Sequence, residues 1–194
     1  MEKNEVRSSV KLIILMIFVA ALSRLLPHPN NFSPISAIAL FGAAYLRPKW
    51  TAVLIPFIAL WISDLLLDNT IYNMYSSKEI GTFSIFGDSW VYTGFLLIIV
   101  MGSFSLQKVK WPKVVASSIA ASLMFFVVSN FGTWASVINT LYPRNLSGLT
   151  ACYVAGIPFL WNTLVGDLCF TLILFGTYAW IQRRKPALER ATKN

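Results

Sequence analysis

A chain of 194 residues that is 56% hydrophobic and only 12% charged cannot hide its apolar side chains inside one soluble domain, so lipid is the expected solvent for most of it. The length leaves room for five or six membrane-crossing helices of roughly 20 residues each and for no second, soluble domain. A net charge of +8 would suggest nucleic acid in a soluble protein, but here the cations mark one side of a membrane and no nucleic-acid partner is expected.

Long apolar runs predict an all-α, polytopic six-helix bundle with spans near 10–26, 35–47, 50–68, 89–106, 112–131 and 153–181. The first run begins like a signal peptide, with Lys3, Arg7 and Lys11 ahead of an apolar stretch and Val19-Ala20-Ala21. It continues to Leu26 without a clean cleavage site, so it is expected to be retained. The second run is short enough for a half-length helix, yet Arg47-Pro48-Lys49 is a tight cationic turn into the third, and the pair reads as a helical hairpin.

Starting the N-terminus in the cytoplasm and crossing six times sorts the 16 lysines and arginines 13 to 3. The three on the far side are Arg24, Lys78 and Arg144. A bias of that size over short loops orients insertion, and it predicts both termini in the cytoplasm of a multi-pass inner-membrane protein. The outer connections differ in character. Residues 27–34 hold Pro27, Pro29 and Pro34 and read as a rigid polar turn, while residues 69–88 and 132–152 carry Tyr72, Tyr75, Phe83, Phe86, Trp134 and Tyr142.

Ionisable groups inside spans are expensive, and each is a functional candidate by default. Arg24 falls at the end of the first span, Asp64 and Asp68 four apart at the end of the third, and Asp167 near the middle of the sixth. Asn130 closes the fifth span and Asn162 lies in the outer half of the sixth. Polar groups from four spans therefore collect in the outer half, with Trp61, Trp134, Tyr153 and Trp161 near enough to stack on a small molecule. The plainer explanation pairs Arg24 with Asp64 or Asp68 and treats the aromatics as an interfacial belt.

His28, the one histidine, sits between two prolines, where a solvated loop residue is commoner than a ligand group. Cys152 could hold a soft metal, but a small apolar filler is the ordinary role; with no CxxC, neither a metal nor a disulfide is expected. Small residues recur four apart at Ala39/Ala43, Ala116/Ala120 and Ser117/Ala121, a spacing that suits close packing inside the bundle or docking of a membrane partner. There is no HExxH, GxSxG or P-loop, and Val165-Gly166-Asp167 lacks the earlier glycine of the GxGD proteases. Neither an enzyme nor a cofactor is expected, and any ATP-driven step must come from a partner.

Four stretches carry a resemblance: Arg24-Leu-Leu-Pro-His-Pro-Asn-Asn-Phe-Ser-Pro34, Trp61-Ile-Ser-Asp64, Ser129-Asn-Phe-Gly-Thr-Trp134 and Asn162-Thr-Leu-Val-Gly-Asp167. With these the chain resembles small bacterial membrane proteins of unknown function, frequent in Bacteroidetes-like bacteria. More remotely, in architecture, it is similar to the substrate-binding S subunits of energy-coupling factor (ECF) vitamin transporters. That resemblance implies an outward-facing micronutrient site, alanine-rich docking faces, and a T subunit with ATPases as partners. The alanine signature of that family's first helix is not clear here, where Ala20 is followed four residues later by Arg24. The expected function is micronutrient capture through Arg24, His28, Asp64, Asp68, Asn130, Trp134, Tyr153, Asn162 and Asp167. The alternatives are a scaffold in an envelope complex, or an ion-coupled carrier with Asp167 as proton site.

Overall fold

The computed structural model describes residues 2–71, 83–136 and 141–191. Among them are six helices and no strands: α1 (Glu2–Leu22), α2 (Ile35–Tyr45), α3 (Lys49–Leu66), α4 (Ser89–Ser105), α5 (Trp111–Ala135) and α6 (Leu146–Ala191). A 3-10 turn, Ser23–Leu25, follows α1, and a π turn, Leu67–Ile71, prolongs α3. Tyr72, Tyr75 and Lys78 lie outside the described residues.

Among the described residues three helical stretches are long and apolar enough to cross a membrane: Lys49–Thr70, Trp111–Ala135 and Leu146–Arg184. Their outward faces are apolar as well, with Leu54, Leu123, Val127, Val154, Ile157 and Leu172 all exposed. So much contiguous exposed hydrocarbon in water would drive aggregation; lipid solvates it, and the chain reads as a membrane protein. At 1.5 Å per residue the 46 residues of α6 reach about 69 Å, well beyond a hydrocarbon core of about 30 Å. By the same rise the 11 residues of α2 make only about 16 Å, half a crossing.

Local chemistry explains where the helices depart from the expected spans. Asn145 accepts the Gly148 N–H at 2.9 Å, an N-cap that starts α6 seven residues before the expected position. Asp88 caps α4 by accepting the Trp90 N–H at 2.8 Å, and Pro112 in the first turn of α5 needs no donor there. The first helix starts at Glu2 and ends at Leu22, which leaves Arg24 on the 3-10 turn instead of in a last α-helical turn.

Successive helices alternate in direction. One end of the bundle gathers the C-terminal ends of α1, α3 and α5 with the N-terminal ends of α2, α4 and α6: Arg24 meets Asp64, Cys152 meets Asn130. At the other end Gln182 donates to Ser9 at 3.3 Å and Ser117 to Ser105 at 3.0 Å, so the N-terminal and C-terminal parts of the chain lie together. The exposed cations Arg47, Lys49, Lys108, Lys110, Lys113, Arg183 and Arg184 belong to this second end.

The hairpin expected at Arg47-Pro48-Lys49 is present, and α2 is its inner arm: every residue from Ile35 to Ala44 is buried. Close approach of the two arms depends on Gly42, where a Cβ would run into the Pro56 ring of α3. Toward its C-terminus α2 enters an aromatic cluster, with the Phe41 ring 5.1 Å from Tyr45, 5.3 Å from Phe175 and 5.7 Å from Tyr178. Ala39 and Ala43 are buried within the bundle, as are Ser117 and Ala121, so those small residues serve internal packing and offer no outer docking face. Ala116 is exposed.

Candidate functional site

The end opposite the exposed cations holds a cavity of about 530 Å³, well inside the size range of small-molecule sites. Exposed His28, Asn31 and Asp88 stand at its rim, while Ser36 and Asp167, each 1% exposed, form its floor. A smaller adjoining cavity of about 280 Å³ shares His28, Asn31 and Phe159 with it. Of the residues expected at the site, Arg24, His28, Asp64, Asp68, Asn130 and Asp167 line the main cavity; Trp134, Tyr153 and Asn162 do not.

Arg24 reaches from the 3-10 turn to α3, where one guanidinium nitrogen donates to Asp64 Oδ1 and to Ser63 Oγ, both at 2.6 Å. Ser63 in turn donates to the Leu60 carbonyl at 2.8 Å. Each ionic side chain keeps 10% of its surface accessible, so the pair is nearly buried and its hydrogen bonds offset much of the cost of taking two charges out of water. The Tyr92 hydroxyl of α4 bonds the same Asp64 carboxylate. Asp68 follows on the π turn, a distortion often found at functional positions. Its carboxylate converges with that of Asp64: a Cβ on Gly87 would be 3.4 Å from an oxygen of each. The loop carrying Gly87 is tied to the π turn by Asn69, which donates to Ser84 O at 2.7 Å and accepts from Ser84 N at 2.8 Å. Sequence reasoning missed that clamp.

Residues 27–34, expected to form a rigid polar turn, do turn at Asn30-Asn31, where the Phe32 N–H donates to Pro29 O at 3.0 Å. Residues 27–31 stay exposed; past that turn the chain goes inward. The segment packs down α6: Asn162 donates to Asn30 O at 2.9 Å, the Phe32 ring lies 5.8 Å from Phe170, and Gly166 leaves room for the backbone of Phe32 and Ser33. A Cβ at Gly166 would stand 3.0 Å from Ser33 N. The chain therefore begins α2 deep in the bundle, where its first N–H groups cannot reach water. Pro34, at the N-cap, has no side chain to offer them.

Asp167 supplies what Pro34 cannot. Its carboxylate takes hydrogen bonds from the backbone N–H groups of Ser36 and Ala37 and from the Ser36 hydroxyl, and Ser122 of α5 donates to Oδ2 at 2.6 Å. A carboxylate at this position also faces the positive end of the α2 dipole. Asp167 was expected to bond a ligand; it forms part of the cavity floor and holds the start of α2, and a seam of Ser118 with Thr171 at 3.2 Å continues the polar contact below it.

Asn130 faces the cavity from α5, pressed against Gly156 of α6, with its amide nitrogen donating to Phe126 O at 2.8 Å. Cys152 is buried beside it and gives a weak 3.4 Å hydrogen bond to Asn130 O, in keeping with a packing role. The aromatic lid departs from expectation. Trp134 Nε1 donates to Pro143 O at 3.0 Å and the Tyr153 hydroxyl to Val127 O at 2.8 Å, so each ties α5 to the chain that follows it. Trp61 donates to Ile85 O at 2.9 Å, and Trp161 is 71% exposed. The rings that do line the cavity are Phe125, Phe126, Tyr142 and Phe159. Nothing in the sequence distinguishes these phenylalanines from lipid-facing ones, and Asp88 reads there as an ordinary loop acid.

The chain matches the family of unknown function DUF6580 over residues 4–188. It belongs to that family. No curated protein and no solved structure matches it.

Proposed function

We propose that this chain is the membrane-embedded capture subunit of a micronutrient uptake transporter, similar in role to the S subunits of ECF systems. It would sit in the bacterial inner membrane with six crossings, both termini in the cytoplasm and the cavity facing outward. The observation that carries the reading is the cavity itself: about 530 Å³, open at one end of the bundle and walled by Arg24, Asp64, Asp68, Asn130 and Asp167 from separate elements. The exposed cations crowd the opposite end, which the bias of positive residues toward the cytoplasm would turn inward. Release into the cell would need a T subunit and ATPases, since no P-loop is present in the sequence.

A scaffold role is the second reading, favoured by one observation: the Arg24–Asp64 pair is closed on itself at 2.6 Å and needs no ligand. An ion-coupled carrier working through the buried Asp167 is a third. Mass spectrometry of small molecules released from the purified chain separates them. A stoichiometric co-purifying metabolite, lost in Asp64→Asn, is the expected result. Ligand-free protein that co-purifies with an envelope protein would favour the scaffold instead.

A further inference from the structure

At the end of the bundle away from the cavity, a furrow runs between the first turn of α5 and the late turns of α6. Trp111 reaches across it: a Cβ on Gly176 would stand 3.9 Å from the far edge of the indole, so the ring lies over a position of α6 that has no side chain. Trp180 follows one turn along α6 and Arg184 one turn after that, on the same face, because residues four apart on a helix are neighbours. Helical side chains lean toward the N-terminus, which brings Arg184 back over Trp180, its guanidinium carbon 4.3 Å from the ring centroid. Trp111 is 44% and Trp180 55% exposed.

Cations stand on both walls. Lys110 and Lys113 flank Trp111 on α5, Arg183 precedes Arg184 on α6, and all four are exposed. The sequence has no acid from residue 89 to 166 or from 168 to 188, so neither wall supplies a carboxylate of its own. The 25 residues of α5 make about 37 Å, little more than a hydrocarbon core of about 30 Å, so its first turn lies at the membrane surface. Farther into the bilayer the walls are apolar. Leu172 lies about 6 Å along α6 from Gly176, Ile119 about 12 Å along α5 from Trp111, and both are exposed.

An interfacial belt accounts for exposed indoles, but not for an arginine laid on one of them with lysines across the furrow. Amphiphile chemistry accounts for both. An anionic head needs cations and N–H donors at the surface, and its chains need an apolar track leading inward. We infer that this furrow binds an anionic phospholipid, with the phosphate between the lysines of α5 and Arg184 and the acyl chains along Ile119 and Leu172. The site is separate from the cavity and independent of what the cavity holds.

The test uses the full-length chain, stripped of lipid in detergent, with native mass spectrometry to count bound lipid and thermal unfolding to read stabilisation. Dioleoyl phosphatidylglycerol is expected to bind at least about tenfold more tightly than zwitterionic dioleoyl phosphatidylethanolamine. Glycerol 3-phosphate, which keeps a phosphate but has no chains, should not bind measurably. Arg184→Gln, and Lys110→Gln combined with Lys113→Gln, should each cut the preference about fivefold. Trp180→Leu should cut it too, although Arg184 keeps its charge, because the ring that holds the guanidinium is gone. Lys49→Gln removes one exposed charge from the same end, on a helix that among the described residues touches neither α5 nor α6, and should leave binding unchanged.

Equal binding of the two phospholipids, or a loss in Lys49→Gln as large as in Arg184→Gln, overturns the site and leaves only diffuse attraction. Polyglutamate bound as tightly as phosphatidylglycerol overturns it as well and gives the surface to an acidic protein. None of these results touches the capture reading, which stands or falls on the small molecules released from the purified chain.

Discussion

The first and last turns of α2, a helix of only 11 residues, are held by different physics. At the start, Asp167 from α6, itself bonded by Ser122 of α5, accepts its N–H groups on the floor of a polar cavity. At the end, Phe41 and Tyr45 are locked among Phe175 and Tyr178, with the Tyr45 and Tyr178 rings only 4.4 Å apart. One end is fixed by a few directional bonds around a space, the other by dispersion in a filled volume. The comparison suggests a division of labour, in which the aromatic end secures the bundle and the cavity end is free to carry function.

That division breaks down if damage at the aromatic end destroys the cavity as readily as damage beside it. Phe41→Ala should have the largest effect on stability, about 3–5 kcal/mol for emptying a fully buried phenyl site, read by denaturant titration in detergent. Affinity for a cavity ligand, measured where the variant is still folded, should change little. Asp167→Ala comes next, at about 3 kcal/mol, because the Ser36 and Ala37 N–H groups lose their partner where water does not replace it. Asp167→Asn retains an acceptor oxygen and should recover part of the loss. Hydrogen exchange at the Ser36 and Ala37 amides would show whether α2 frays from this end alone.

Arg24→Gln sharpens the contrast from the side of the cavity wall. It leaves Asp64 nearly buried with the Tyr92 hydroxyl as its remaining named partner, at a cost of about 2 kcal/mol. Adding Asp64→Asn should return much of that stability, since an amide needs no counter-charge there. Equal stability of the single and double variants would mean that the ion pair does not hold α1 to α3.

The outline of the bundle was legible in the sequence because hydropathy and charge report directly on solvent. The expected run at 89–106 differs from α4 by a single residue. A partner for Arg24 could be narrowed to Asp64 or Asp68 because isolated charges in apolar runs must find each other, and the structure pairs it with Asp64. The inward course of residues 32–34 could not be read. Three prolines and two asparagines look like a surface turn, and only Gly166 and Asn162, more than 130 positions away, accept the segment against α6. Asp167 was visible as a costly group, but its task depends on where α2 starts, which no periodicity encodes. The indole of Trp134 and the hydroxyl of Tyr153 are spent on nearby carbonyls, a matter of local geometry that composition does not carry.

The smallest expected effect tests whether the descending segment is a wall or a gate. Asn162 holds it by one exposed hydrogen bond to Asn30 O, so Asn162→Ala should cost no more than about 1 kcal/mol of stability. The same bond tethers the stretch that brings His28 and Asn31 to both cavities. Release of a bound ligand should therefore quicken more than stability falls, and amide exchange should rise across residues 28–33 while the Phe41 region stays protected. A loss of stability as large as that of Asp167→Ala, with release unchanged, would instead make the segment part of the framework and move the way in toward the loop that carries Gly87 and Asp88.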